Sequence, residues 1–230
     1  LVLAGFGPMF SQKHYPDLAT QLKEFGCGIE MSLLAAIPKG SGLGTSSNLA
    51  ATVLGTLNDF CGLAWDKHAI AYRTLILEQM LTTGGGWQDQ VGGDFQGGKF
   101  LETFPGIKQK PSILWLPDQL FTNRETREMM LLYYTGVTRV ARDILGEIVK
   151  GMFLNSSPHL EIFGEMKAHA RETFDTILGN DYIGLAQKVA LSWELNKRLD
   201  EGTNPPVIRE IIGRVDDYLL GYKLLGAGGG

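Results

Sequence analysis

The chain has 230 residues, 44% hydrophobic and 20% charged, with 30 glycines and 9 prolines. That balance excludes a disordered tail and, with no G-X-Y period, collagen. A net charge of −4 without a basic stripe argues against a nucleic-acid partner, and no apolar run approaches the roughly 20 residues of a membrane span.

Leu1 to Phe10 is apolar but has neither a positive n-region nor a cleavage site, so it does not read as a signal peptide. Ile29 to Ile37 reads as a largely buried strand that Pro38 stops. A Gly-rich turn follows, and Ser46 to Phe60 is predicted helical. Leu49, Val53, Leu57 and Phe60 form its apolar face, and Thr45, Ser46 or Ser47 is its N-cap. Asp66 is expected to cap a second helix reaching Met80, with Ile70, Thr74, Leu77 and Leu81 on one face. Thr83 to Gly98 reads as a loop, followed by short strands over 95–103 and 113–116.

Past residue 125 the pattern becomes helical. A strand is predicted over Met129–Tyr134, then helices over 138–153, 158–178, 182–199 and 205–214. A closing strand or helix end is expected over 218–225. The whole reads as α+β, with a soft boundary near Asn123 that separates residues 1–123 from 124–230. Cys27 and Cys61 form no CxxC and read as free thiols in a reducing compartment. His14, His68, His159 and His169 match no common zinc spacing and read as structural or surface residues. The absence of a Met start and the final Gly-Gly-Gly suggest a fragment.

Two segments carry candidate chemistry. Gly40, Ser41, Gly42, Leu43, Gly44, Thr45, Ser46 and Ser47 form a Gly-rich turn running into a hydroxyl-rich helix start. Such a turn gathers backbone N–H groups and a positive dipole end at one place, which suits an anion. It is neither the Walker P-loop nor the Rossmann fingerprint. Good capping explains the hydroxyls but not three alternate glycines. In the second segment Gly85, Gly86, Trp87, Gln88 and Asp89 sit among seven glycines of residues 84–98. A Trp face and an Asp suit a polar substrate such as a sugar, whereas composition alone suits a surface loop. Glu78, eleven residues before Asp89, reads by itself as a surface carboxylate.

Taken together these stretches resemble the GHMP superfamily of small-molecule kinases. Pro38-x-Gly40-Ser41-Gly42-Leu43-Gly44-Thr45-Ser46 is similar to its ATP phosphate loop, and Gly226-Ala227-Gly228-Gly229-Gly230 to the start of its third motif. Trp87-Gln88-Asp89-Gln90 and Tyr134-Thr135-Gly136-x-Thr138-Arg139 resemble the L-fucokinases, most closely the bacterial ones fused to a guanylyltransferase.

The resemblance implies a two-lobed kinase fold, with the later part of the N-lobe followed by a ferredoxin-like, helix-rich C-lobe. It implies a cytoplasmic enzyme that uses ATP and Mg²⁺ to phosphorylate C1 of L-fucose. Residues 40–47 would hold the ATP phosphates, and Ser46 and Glu78 the Mg²⁺. Asp89 would take the proton of the C1 hydroxyl. Gly85, Gly86, Trp87 and Gln88 would line the sugar site. Thr135, Gly136 and Arg139 would close over the substrate, and Gly226, Gly228 and Gly229 would support the phosphate loop. Three departures stand beside the likeness: Asn48 where many members carry Ala, no first motif before Leu1, and no guanylyltransferase region. A heptose 7-phosphate 1-kinase and a non-catalytic sugar or nucleotide sensor are the alternatives; Lys99 is the nearest cation for a second phosphate.

Overall fold

The computed structural model describes residues 1–7, 9–38, 40–81, 86–106, 109–136 and 141–226. It is helix-rich with one small sheet, an α+β composition. The chain divides into two compact units, Leu1–Pro38 with Gly44–Phe95, and Lys39–Leu43 with Gln96–Gly230.

The first unit holds α1 (Leu18–Phe25), α2 (Thr45–Cys61), α3 (Lys67–Met80) and α4 (Gln88–Asp94). In α1 the Asp17 carboxylate accepts from the Thr20 N–H, and Gly26 ends the helix in the left-handed region. Its Phe25 ring meets Phe6 edge-on at 5.2 Å. Ala4, Phe6 and Leu57 form a core that Ile29, Met31, Val53 and Trp65 extend.

The buried stripe of α2 is Ser47, Ala51, Leu54 and Leu57. Of the expected face only Leu57 lies deep; Phe60 is 53% exposed. Helix α2 packs against both α3 and α4, and the small Ser47 and Ala51 share its buried side with Leu54 and Leu57. Its N-cap is Gly44, with no side-chain cap bond, in place of the expected hydroxyl.

The α2–α3 connection is tied by Asn58, whose side chain accepts from the Trp65 N–H at 2.8 Å and donates to the Trp65 carbonyl. Asp66 caps α3 as expected, accepting from the Ala69 N–H. The buried face of α3 is Ala71, Thr74 and Glu78; Leu81 is 64% exposed. Helix α4 replaces the middle of the loop expected over 83–98. Gln90 and Val91 anchor it by burial. A side chain at Gly93 would overlap the Asn48 carboxamide, so that glycine serves helix packing, not chain flexibility. Residues 29–37 run without ladder bonds among the described residues, in place of the expected strand. Alternating apolar residues favour extension, but a strand also needs a neighbour to pair with.

The second unit holds β1 (Lys99–Glu102), β2 (Ser112–Trp115), α5 (Gln119–Thr122), α6 (Arg124–Met129), α7 (Ala141–Phe153), α8 (Ser157–Leu178), α9 (Tyr182–Leu199) and α10 (Pro206–Gly213). The strands pair antiparallel, Lys99 opposite Trp115 and Glu102 opposite Ser112. Phe100 on β1 meets Phe174 of α8, and Arg171 lies over the Phe100 ring while pairing with Glu102. Helices α8 and α9 pack together, burying Ile162, Trp193 and Leu195. Between them His169 Nε2 meets Ser192 Oγ at 2.8 Å, and burial holds the imidazole below its ordinary pKa.

The strand expected over 129–134 and the strand or helix end expected over 218–225 are not formed. Residues 129–134 begin as the end of α6 and continue as exposed extended chain. Residues 218–225 follow a single 3₁₀ turn, Asp216–Tyr218, and are irregular. Gly221 lies so close to α9 that a Cβ there would sit 2.0 Å from the Ala186 carbonyl oxygen. A helix backbone cannot retreat from such contact. Gly221→Ala is therefore expected to lower the unfolding free energy by about 1–3 kcal/mol. Gly213→Ala, with open space at the end of α10, should be neutral or stabilising by up to about 1 kcal/mol. Urea unfolding of the two variants checks the contrast, and equal midpoints would refute the close approach.

Candidate functional site

The Gly-rich turn alternates three left-handed residues, Gly40, Gly42 and Gly44, with φ of 76°, 73° and 65°. Only glycine takes that conformation repeatedly without a Cβ penalty. In the second unit Gly42 touches the backbone of Leu225 and Gly226; a Cβ on Gly42 would lie 2.5 Å from the Leu225 carbonyl oxygen. Ser41, beside Gly42, is buried, and its Oγ has no partner among the described residues. Leu43 is exposed at the end of this segment.

From Gly44 onward the chain belongs to the first unit. Thr45 opens α2 half-buried, and its Oγ1 is a second buried hydroxyl without a partner among the described residues. Ser46 is exposed on the same turn. Ser47 is 3% exposed and donates its hydroxyl to Glu78 Oε1 at 2.8 Å. Glu78, on the last turn of α3, is itself only 6% exposed, contrary to the surface position expected of it. Its other oxygen, Oε2, accepts from the Gln90 side-chain amide. Gln90, on α4, is 2% exposed.

Asp89 precedes Gln90 on α4 and turns to a different side. A Cβ placed on Gly44 would sit 3.7 Å from both Asp89 Cβ and Cγ, so the Asp89 side chain lies against the start of α2. Partial burial, and secondly the charge of Glu78, hold the Asp89 carboxyl above its ordinary pKa. The structure thus brings together Gly44, Ser47, Glu78 and Asp89.

Trp87 is half-buried at the start of α4, while Gly86 and Gln88 are exposed. Thr135 is half-buried, and Gly136 takes a φ of 72° in the second unit. Gly85, Arg139, Gly228 and Gly229 lie outside the described residues.

Two functional candidates went unnoticed in the sequence. Gln90 is one; its signal was the repeated Gln flanking Asp89. The other is Asp94, which lines a cleft of about 300 Å³ with Asn48, Ala51, Thr52, Lys67, Ile70 and Gly93. Nothing in the sequence marks it. Its Oδ2 is buried with no partner among the described residues, and burial pushes its carboxyl up to about 6 against the pull of Lys67.

Among the described residues no cluster of three or more His, Cys, Asp or Glu could enclose a metal by itself. Two carboxylates beside a helix N-terminus, with the partnerless Thr45 hydroxyl on its first turn, fit a different case. They are hard oxygen donors of the kind that bind Mg²⁺ through one or two carboxylates and leave its other positions to phosphate and water.

Residues 14–97 match the family described as GHMP kinases N terminal domain. Over all 230 residues the chain is 60% identical to the L-fucokinase/L-fucose-1-P guanylyltransferase of Bacteroides fragilis, of which it spans 24%. Over 205 residues, 88% of the chain, it is 32% identical to the bifunctional fucokinase/GDP-fucose pyrophosphorylase of Arabidopsis thaliana, spanning 19% of it. Over 196 residues, 84% of the chain, it is 30% identical to the D-glycero-alpha-D-manno-heptose 7-phosphate kinase of Campylobacter jejuni, spanning 57% of it. Residues 14–97 are thus similar to a GHMP kinase N-terminal domain, and the chain covers less than two thirds of each of these relatives. No helix among the described residues is long and apolar enough to cross a membrane.

Asp94 gives the first unit a pH dependence. An unfolded Asp titrates near 4, and the folded one near 6. The ionised form is the penalised one, so stability is full below pH of about 4 and falls as pH rises through about 6. Asp94→Asn is expected to remove this decline, leaving the variant more stable than the parent above pH 6 by about 1 kcal/mol after solvent screening. Thermal unfolding between pH 4 and 7 checks it; parallel curves for the two proteins would contradict the assignment.

Proposed function

We propose that the protein carrying this chain transfers the γ-phosphoryl group of ATP to the C1 hydroxyl of L-fucose, giving L-fucose 1-phosphate. The observation that carries the reading is the pairing of Glu78 with Asp89 at the start of α2, beside Gly44. The 60% identity to a fucokinase relative supports the choice of sugar. In this reading the chain contributes part of a two-lobed kinase, 1–123 from the N-lobe and 124–230 from the C-lobe, acting in the cytoplasm. A guanylyltransferase domain fused elsewhere in the chain would use the product.

Phosphoryl transfer asks the protein mainly for positioning and charge neutralisation. The Gly-rich turn, Gly40 to Ser47, offers N–H groups and hydroxyls to the ATP phosphates. In the same reading Gly226, Gly228 and Gly229 would support that turn. Glu78, with Ser46 or the neighbouring hydroxyls of α2, would hold Mg²⁺, which when bound neutralises charge on the phosphates. Asp89 takes the C1 hydroxyl proton as the sugar oxygen attacks the γ-phosphorus and the bond to the ADP oxygen breaks. Its raised pKa makes it a stronger base than an ordinary carboxylate. Gly85, Gly86, Trp87 and Gln88 would line the sugar site, and the resemblance assigns Thr135, Gly136 and Arg139 to the substrate as well.

The 30% identity to a heptose 7-phosphate kinase supports a second reading, another anomeric sugar kinase. Two measurements on the full-length protein separate these. With L-fucose and Mg-ATP, formation of a sugar 1-phosphate followed by ³¹P NMR is expected, and Asp89→Asn should reduce kcat by about 10²–10⁴-fold. Turnover unchanged in Asp89→Asn rejects its role as base. A preference for phosphorylated heptose over L-fucose rejects the sugar.

A further inference from the structure

Gln90 is a polar residue spent in a buried position. It is 2% exposed, so it reaches neither solvent nor a ligand in the open part of the site. Its Nε2 donates to Glu78 Oε2, yet its Oε1 is buried without a partner among the described residues. A Met or Leu would fill the same volume without stranding an acceptor. Packing therefore does not explain the amide; the contact with Glu78 does.

Glu78 needs such a contact because the terminal torsion of a Glu side chain is broad and soft. One hydrogen bond leaves the carboxylate free to swing about the bonded oxygen. Here the two oxygens are held from two different helices, Oε1 by Ser47 of α2 and Oε2 by Gln90 of α4. These two donors are neutral, so they orient the carboxylate without neutralising it. A Lys or Arg at residue 90 would orient it too, but would compete with any cation for its charge. The same turn of α4 also delivers Asp89, which faces the start of α2 while Gln90 faces inward.

We propose that Gln90 is a positioning residue: together with Ser47 it fixes the direction of the Glu78 carboxylate and so sets how tightly a divalent cation is held beside the nucleotide phosphates. This rests on the reading of Glu78 as the cation's protein ligand.

The test uses the full-length protein and two variants. Gln90→Met keeps the volume and removes the donor; Gln90→Asn keeps the amide but withdraws it by one methylene. Mn²⁺ is titrated, with a non-hydrolysable ATP analogue present, and followed by electron paramagnetic resonance. The Mn²⁺ dissociation constant is expected to rise about 10–100-fold in both variants. The Mg²⁺ concentration for half-maximal rate should rise in step, with KM for the sugar unchanged. A variant that is folded by circular dichroism and holds Mn²⁺ as tightly as the parent overturns the proposal, even if it melts at a lower temperature. If Gln90→Met does not fold, Gln90→Asn decides. A parent that binds Mn²⁺ with nucleotide but phosphorylates no sugar removes the functional reading and leaves the Mn²⁺ comparison to judge Gln90. A parent that binds no Mn²⁺ with nucleotide overturns both.

Discussion

A carboxylate almost out of water governs how the first unit is built. Left without donors, a buried Glu78 would cost several kcal/mol. The chain meets that demand from two helices other than its own, with Ser47 on α2 and Gln90 on α4. Helices α2, α3 and α4 must therefore be in register at this one point. The buried residues of α2 and α3 serve the same end. Ser47 and Ala51 on one, Ala71 and Thr74 on the other, are small enough for close approach. A face built of Leu49 and Phe60 would hold the helices farther apart and put Glu78 beyond the reach of a serine hydroxyl.

Glycine divides its work in the same spirit. In the turn before α2 it supplies left-handed backbone. Gly93 and Gly221 lie instead where another group already occupies the space of a side chain: the Asn48 carboxamide at Gly93 and the α9 backbone at Gly221. The excess of glycine in the composition therefore reflects closeness as much as bending. Asn48, which stands where the resembling family carries Ala, is matched by Gly93 across from it.

Much of this was legible in the residues. The Gly-rich turn, helices α2 and α3, the Asp66 cap and the long helices α8 and α9 follow from local chemistry and periodicity. Asp89 and Glu78 could be nominated, although Glu78 alone looked like a surface carboxylate. What failed was anything that depends on a partner in space. The segments at 29–37 and 129–134 have the composition of strands, but the ladder depends on a neighbour that composition does not reveal. The buried side of α2 depended on which helices pack against it, so apolar spacing found Leu57 but missed Ser47, Ala51 and Leu54. Helix α4 was hidden because its glycines look like loop in one dimension, whereas Gly93 is a packing contact in three. Gln90 was hidden because its role exists only once α3 and α4 meet.

The chemistry of Asp89 depends on that meeting too. Its carboxyl lies at the start of α2, where a helix N-terminus favours negative charge and lowers a carboxyl's pKa. Desolvation, and secondly the charge of Glu78, act in the opposite direction and raise it. The Ser47 hydroxyl and the Gln90 amide are neutral, so these two donors orient the Glu78 carboxylate without cancelling the field that acts on Asp89. The choice of Ser and Gln around one buried carboxylate therefore preserves the lesser of the two influences that raise the pKa of the next one, the greater being desolvation.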